Sequence, residues 1–216
     1  GSGPIMAAAD MFDLTINGRG GHCAMPDQCI DPIVVASQVV SALQTIPSRS
    51  THPVDSVVIS VTQIHAGDAY NVIPDSVRMR GSVRTFLPET QEGIPSSMLR
   101  VAEGVCAAFG ASCELNYSKG YPATINSVPE TEISAKAVVD LVGEENLIRD
   151  PTPSMGAEDF SYMLQARPGC YVWLGIGTGK GEGGCMLHSS HYDFNDDVLS
   201  TGASYWATLV ENELAA

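Results

Sequence analysis

Apolar and polar residues alternate along Asp10-Met11-Phe12-Asp13-Leu14-Thr15-Ile16-Asn17, and a period of two predicts a strand. Gly18, Gly20 and Gly21 interrupt it, as residues that permit backbone angles others avoid. Asp31-Pro32 then predicts a capped helix reaching about Ile46, with Ile33, Ala36, Val39, Val40 and Leu43 on one face. The β-branched runs 55–64 and 76–86 predict two strands, separated by the loop 65–74. A helix over 91–109 and a strand over 111–117 complete a β-α-β-β-α-β order, the split unit of a ferredoxin-like sandwich. This first module is expected to span residues 10–119. Residues 1–9 read as an appended tag remnant, Gly1-Ser2-Gly3, followed by a linker.

The pattern changes after Gly120-Tyr121-Pro122. An amphipathic helix is predicted over 130–142, a short strand over 146–149 and a stiff Pro151-Thr152-Pro153 connection. Ser154 to Phe160 is expected to open a helix that runs to about Gln165. Cys170 to Gly175 has the composition of a buried strand, leading into the glycine-rich run 175–184 and a terminal helix over 197–214. Two or three helices with only two short strands make an incomplete α/β sheet. Residues 120–216 are therefore expected to be the C-terminal portion of a larger α/β domain, and the chain as a whole an α/β (α+β) protein.

Charge removes two classes of partner. A net charge of −14 argues against nucleic acid and against anionic membranes, which call for basic patches. No apolar run approaches the length of a membrane span and no secretory signal is recognisable, so a cytoplasmic location is expected. The six cysteines contain no C-x-x-C pair, which fits reduced thiols better than a disulfide framework.

His188 lies between the glycine-rich run and the cap candidates Asn195 and Asp196. A neutral imidazole there suits a transition metal, with Asp193 or Asp196 as second acceptors; a loop histidine beside a helix cap is the simpler reading. His22 sits in a Gly-Gly-His turn, and a plain turn histidine explains it as well. Asn71 could bond within its own turn, Arg84 could be an exposed strand charge, and Glu158 and Asp159 could serve a helix start. Cys23 and Cys29 flank His22, but at poor zinc spacing.

Taken in order, five blocks carry a resemblance. They are Gly20-Gly21-His22 with Ala24-Met25-Pro26 and Asp31-Pro32-Ile33; Gly67 to Pro74; Gly81 to Phe86; Met155 to Phe160; and Leu187-His188 with Tyr192 to Asp196. Together they resemble the hippurate hydrolase or N-acyl-amino-acid amidohydrolase branch of the dinuclear-metal aminoacylase and carboxypeptidase superfamily. The resemblance implies a ferredoxin-like lid that mediates homodimerisation, inserted into an α/β catalytic domain. It implies hydrolysis of N-acyl amino acids at two divalent metal ions, zinc or alternatively manganese, nickel or cobalt. By the same resemblance His188 is a metal ligand, and His22 is the lid histidine that reaches the partner subunit's site and polarises the scissile carbonyl. The resemblance also implies that Asn71 and Arg84 hold the substrate through its carboxylate, while Glu158 and Asp159 lie near the pocket with no assigned role. The remaining metal ligands and the carboxylate base of that family are not recognisable ahead of the lid. The chain is accordingly expected to be a lid plus a C-terminal catalytic part, inactive alone. The competing expectation is a non-catalytic dimerisation or binding module derived from that family.

Overall fold

The computed structural model describes residues 1–177, 185 and 187–214. These residues divide into two compact units. One comprises Met6–Thr124 with Pro153–Tyr162; the other comprises Gly1–Ile5, Ile125–Thr152 and the segment from Met163 onward.

The first unit is built on an antiparallel sheet. Its strands are β2 (Ala8–Asn17), β4 (Val57–His65), β6 (Ser76–Thr85) and β7 (Ser112–Tyr121), in the spatial order β4-β6-β2-β7. Helices α1 (Pro32–Leu43) and α2 (Pro88–Ala108) complete the β-α-β-β-α-β succession. Phe12, Leu14 and Ile16 of β2 alternate inward with Val77, Met79 and Val83 of β6. They meet Val35, Val39 and Leu43 of α1 and Ile94, Met98 and Ala102 of α2 in one core. The opposite face of the sheet is uncovered within this unit and carries Met11, Asp13, Arg78, Arg80 and Arg84.

The Asp31 carboxylate caps α1 by accepting from the Ile33 N–H at 2.9 Å. That cap sets the phase of the helix so that Pro32, Val35, Ala36, Val39 and Leu43 face inward. Ile33, assigned to the core stripe from periodicity, is 48% exposed. The glycines before His22 also have a different purpose from the one expected. None of Gly18, Gly20 and Gly21 adopts a positive φ. A Cβ on Gly18 would lie 2.2 Å from the Ile30 carbonyl oxygen, and one on Gly20 would lie 2.4 Å from that of Ile73. Close backbone approach, not unusual torsion, demands glycine at both positions.

Asp10 is 1% exposed in this unit. Its Oδ1 accepts from Gln91 Nε2 and from the Gly120 N–H, both at 2.9 Å, and its Oδ2 accepts from the Tyr117 hydroxyl at 2.8 Å. Burial, reinforced by the adjacent Asp10, pushes the Tyr117 hydroxyl far above its ordinary pKa, so it stays a donor.

In the second unit β1 (Gly3–Met6) pairs with β8 (Thr124–Asn126), so residues 3–6 are a strand and not a linker. Helices α3 (Val128–Val142) and α5 (Leu199–Leu214) pack together, with the Ser134 and Tyr205 hydroxyls 2.6 Å apart. The strand expected at 146–149 is absent. Residues 144–146 form a 3₁₀ turn, and Arg149 folds back onto Glu144 in a two-pronged ion pair at 2.8 and 3.0 Å. In the first unit residues 154–156 run extended beside Met6, so helix α4 (Phe160–Ala166) begins later than expected. The Ala7 N–H donates to the Ser154 and Gly156 carbonyls there, at 3.0 and 2.9 Å. No described helix is long and apolar enough to cross a membrane.

No strand forms at 170–175. Tyr171 exchanges backbone bonds with the Asn126 side chain, its N–H at 2.8 Å and its carbonyl at 2.9 Å. Val172, Trp173 and Leu174 follow with substantial exposure, Trp173 at 44%. A strand needs a neighbouring ladder, and no described residue supplies one here.

Two outcomes are expected from this packing. Asp10→Ala leaves one buried and two partly buried donors without their acceptor and should destabilise the first unit by about 3 kcal/mol, seen as a lower urea midpoint. An unchanged midpoint would show that water replaces the carboxylate. Burial also pushes the Cys113 thiol up to about 12 and raises that of Cys106. Both should resist a thiol-specific aromatic disulfide near neutral pH while the exposed Cys23 reacts, as peptide mapping would record.

Candidate active site

His22 and Asn71 come together through main-chain pairing. Strand β3 (Gly21–His22) runs antiparallel to β5 (Val72–Ile73), with Gly21 opposite Ile73 and His22 opposite Val72. The Cys23 N–H donates to the Asn71 carbonyl at 3.1 Å and extends this ladder by one bond. Asp75 anchors the arrangement from below. Its carboxylate accepts from the Gly20 N–H and its carbonyl from the Gly18 N–H, each at 2.8 Å. Asp75 carried no signal in the sequence beyond a turn after Pro74.

The imidazole of His22 is oriented by its own loop. Nδ1 accepts from the Ala24 N–H at 3.1 Å. An accepting Nδ1 in a neutral ring places the proton on Nε2, so His22, itself exposed, presents an outward N–H donor.

Arg84 stands elsewhere. It pairs with Ala9 of β2 and Val58 of β4, at the end of β6 remote from β5. Eight residues of strand separate Ser76 from Arg84, about 27 Å at the rise of an antiparallel strand. His22 and Arg84 of one chain therefore lie at opposite ends of the sheet. Arg78 and Arg80 share the uncovered face with Arg84, but both close on Asp13, at 2.6 and 2.7 Å. The Arg80 and Arg78 guanidiniums hold the Asp13 carboxyl below its usual range. Arg84 has no ion-pair partner among the described residues.

Glu158 and Asp159 precede α4, as a capping role requires. The Glu158 carbonyl accepts from the Ser161 N–H at 3.3 Å and hydroxyl at 2.6 Å. His188 occupies an exposed turn at φ +67°, in the left-handed region that a non-glycine residue rarely adopts. Neither Asp193 nor Asp196 bonds to its ring, so the second acceptors expected for it are not in place. The glycine-rich run before it lies largely outside the described residues.

The donor groups of the described residues do not by themselves fit a dinuclear metal centre. Each metal requires several ligands, and no three His, Cys, Asp or Glu side chains converge among the described residues. His188 is one exposed imidazole. After incubation with zinc and gel filtration, the purified chain should retain fewer than two metal ions per molecule by elemental analysis. A retained stoichiometric pair would show that ligands beyond His188 assemble in this chain.

Comparisons with known proteins agree with one another. The sequence model of peptidase family M20/M25/M40 matches residues 8–212. An N-acetylcysteine deacetylase of Bacillus subtilis is 35% identical over 207 residues, covering 96% of this chain and 52% of that protein. A hippurate hydrolase of Campylobacter jejuni is 33% identical, covering 96% of this chain and 53% of that protein. The chain thus spans about half the length of these curated relatives. The crystal structure of a dinuclear metal binding peptidase of family M20 from Bacillus subtilis superposes with a TM-score of 0.78 at 32% identity. That match covers 97% of this chain and 51% of the other. With a family match over nearly its whole length and an architecture shared with a solved member, the chain belongs to peptidase family M20/M25/M40.

Proposed function

We propose that this chain serves a metal-dependent amidohydrolase that splits the amide bond of N-acyl amino acids. The observation that carries the reading is the His22 tip. A backbone-oriented imidazole presents an Nε2–H donor on a short ladder shared with Asn71. Attack on an amide builds negative charge on its carbonyl oxygen, and a preorganised donor stabilises that charge. His22 supplies that donor. Asn71, whose carbonyl accepts from the Cys23 N–H on the same tip, is the second polar residue this reading assigns to the substrate. Arg84, whose guanidinium has no ion-pair partner among the described residues, suits the substrate carboxylate by two-pronged bonding. His188 is the ligand this chain offers to a divalent metal such as zinc. The deacetylase and hydrolase names of the relatives support amide hydrolysis as the reaction class.

The separation of about 27 Å along β6 bears on how such a site is assembled. His22 and Arg84 of one chain cannot hold one small substrate between them. In a homodimer, His22 of one subunit serves the site to which Arg84 of the other belongs. The edge strand β4 and the exposed helix faces of the first unit are available for such an association.

Steady-state assays of the metal-loaded enzyme on N-acyl amino acids test this reading. His22→Ala should lower turnover by about a hundredfold to a thousandfold and leave metal content unchanged. Arg84→Ala should act chiefly on KM. When these two variants are co-expressed, the mixed dimer should regain activity, because one of its sites contains both an intact His22 and an intact Arg84. Wild-type turnover in His22→Ala would remove the donor role. Verified mixed dimers without recovery would place both residues in the service of one subunit. No hydrolysis of any N-acyl amino acid by the metal-loaded enzyme would favour a binding module.

A further inference from the structure

His22 rides on a loop that leaves the first unit at Arg19 and returns at Ile30. One pair of main-chain bonds closes its base: the Arg19 N–H donates to the Ile30 carbonyl and the Ile30 N–H to the Arg19 carbonyl, each at 2.9 Å. A single exchanged pair fixes where a loop starts but lets it swing about that base. The ladder of Gly21–His22 on Val72–Ile73 is too short to prevent this, since even a longer two-stranded ribbon is marginally stable by itself. A fixed point between base and ladder is needed, and the corner Pro74–Asp75 supplies it.

Gly20 crosses directly over this corner. A Cβ there would lie 2.9 Å from the Pro74 carbonyl carbon and 3.1 Å from the Asp75 nitrogen. The Asp75 carboxylate accepts from the Gly20 N–H at 2.8 Å, and its carbonyl accepts from the Gly18 N–H at the same distance. One residue thus grips the incoming chain at two points, on either side of Arg19. The Cys29 sulfur backs the next residue, Gly21, where a Cβ would approach it to 2.7 Å. Among the described residues Asp75 makes no ion pair, and the neighbouring Arg19 turns its Nε to the Gln28 carbonyl at 3.1 Å. The bond to Gly20 is therefore what its carboxylate contributes here.

We propose that Asp75 is a positioning residue for the amide hydrolysis: by holding the Gly20 N–H, its carboxylate fixes the ladder just beyond and so sets where His22 presents its Nε2–H. This rests on the amidohydrolase reading above. His22 lies about 7 Å of strand beyond Gly20, so a swing at Gly20 is enlarged at the imidazole. A misplacement of about 1 Å near the reacting atoms lowers a rate by as much as about a hundredfold.

Two variants and two readouts test this. Asp75→Ala removes the acceptor, whereas Asp75→Asn keeps an accepting oxygen in its place. In the chain itself, hydrogen exchange of the Cys23 N–H reports on the ladder, because that N–H is bonded to the Asn71 carbonyl. Asp75→Ala should speed this exchange about tenfold and leave the amides shared by β2 and β6 unchanged, and Asp75→Asn should restore it. In the metal-loaded enzyme, Asp75→Ala should lower kcat by about tenfold to a hundredfold with KM and metal content unchanged, and Asp75→Asn should recover most of the loss. Unchanged exchange at Cys23 in Asp75→Ala overturns the positioning role. So does faster exchange spread over the whole sheet, which marks a merely structural residue, and so does faster exchange at Cys23 with wild-type kcat. In each case the amidohydrolase reading stands if His22→Ala has lost its turnover, and falls as well if His22→Ala turns over like the wild type.

Discussion

One buried carboxylate ties the first unit together. Asp10 draws a donor from α2, a hydroxyl from β7 and a main-chain N–H from Gly120, so a single side chain joins the central strand to its helix layer and its edge. A carboxylate out of water is tolerated only when its oxygens are bonded, and three donors meet that demand. The register at this end of the sheet follows from it. The pairing of β2 with β7 shifts between Ala9 and Met11, and the irregularity brings the Gly120 N–H onto Asp10. Arg84, opposite Ala9, projects from the same end of the sheet.

The other end is held by a second aspartate. Asp75 binds the N–H groups of Gly18 and Gly20, and the two glycines let the chain pass against the Ile30 and Ile73 carbonyls. That passage delivers His22 to the β3–β5 ladder, where the Ala24 N–H selects the ring tautomer. The donor is thus prepared by main-chain groups and needs no charged neighbour. Two ends of one sheet then display the two polar groups, the His22 donor and the Arg84 guanidinium, to which the proposed function assigns the substrate's amide and carboxylate. Their separation is a strand length, which no side-chain rearrangement can close, so in the proposed enzyme a second subunit brings them together.

The second unit keeps its chemistry under a different constraint. His188 is held in left-handed backbone, and its ring has no hydrogen bond to another described residue. The nearby apolar run Val172-Trp173-Leu174 is exposed and carries no strand ladder. Relatives of about twice this length share the family, and the ligands that a dinuclear centre requires do not converge among the described residues here.

The alternation of Phe12, Leu14 and Ile16, the Asp31-Pro32 cap and the β-branched runs determined the β-α-β-β-α-β order, because period and capping are local properties of a chain. The motif blocks likewise marked His22, Asn71, Arg84 and His188. Local pattern could not decide which face of α1 turns inward at Ile33, since the cap and the sheet beneath set the helix phase together. Nor could it decide whether 146–149 and 170–175 become strands. A β-prone segment is a strand only when another backbone lies beside it, and Arg149 instead folds onto Glu144 while Tyr171 bonds to the Asn126 side chain. The roles of Asp10 and Asp75 were equally hidden, because their partners lie 107 to 110 residues away in β7 and 55 residues away at Gly20. Pairings over such distances exist only once the chain has folded. The sequence by itself named the element order of the first unit and the candidate side chains; the tertiary structure alone decided that His22 and Asn71 share one tip and that Arg84 stands a full strand away.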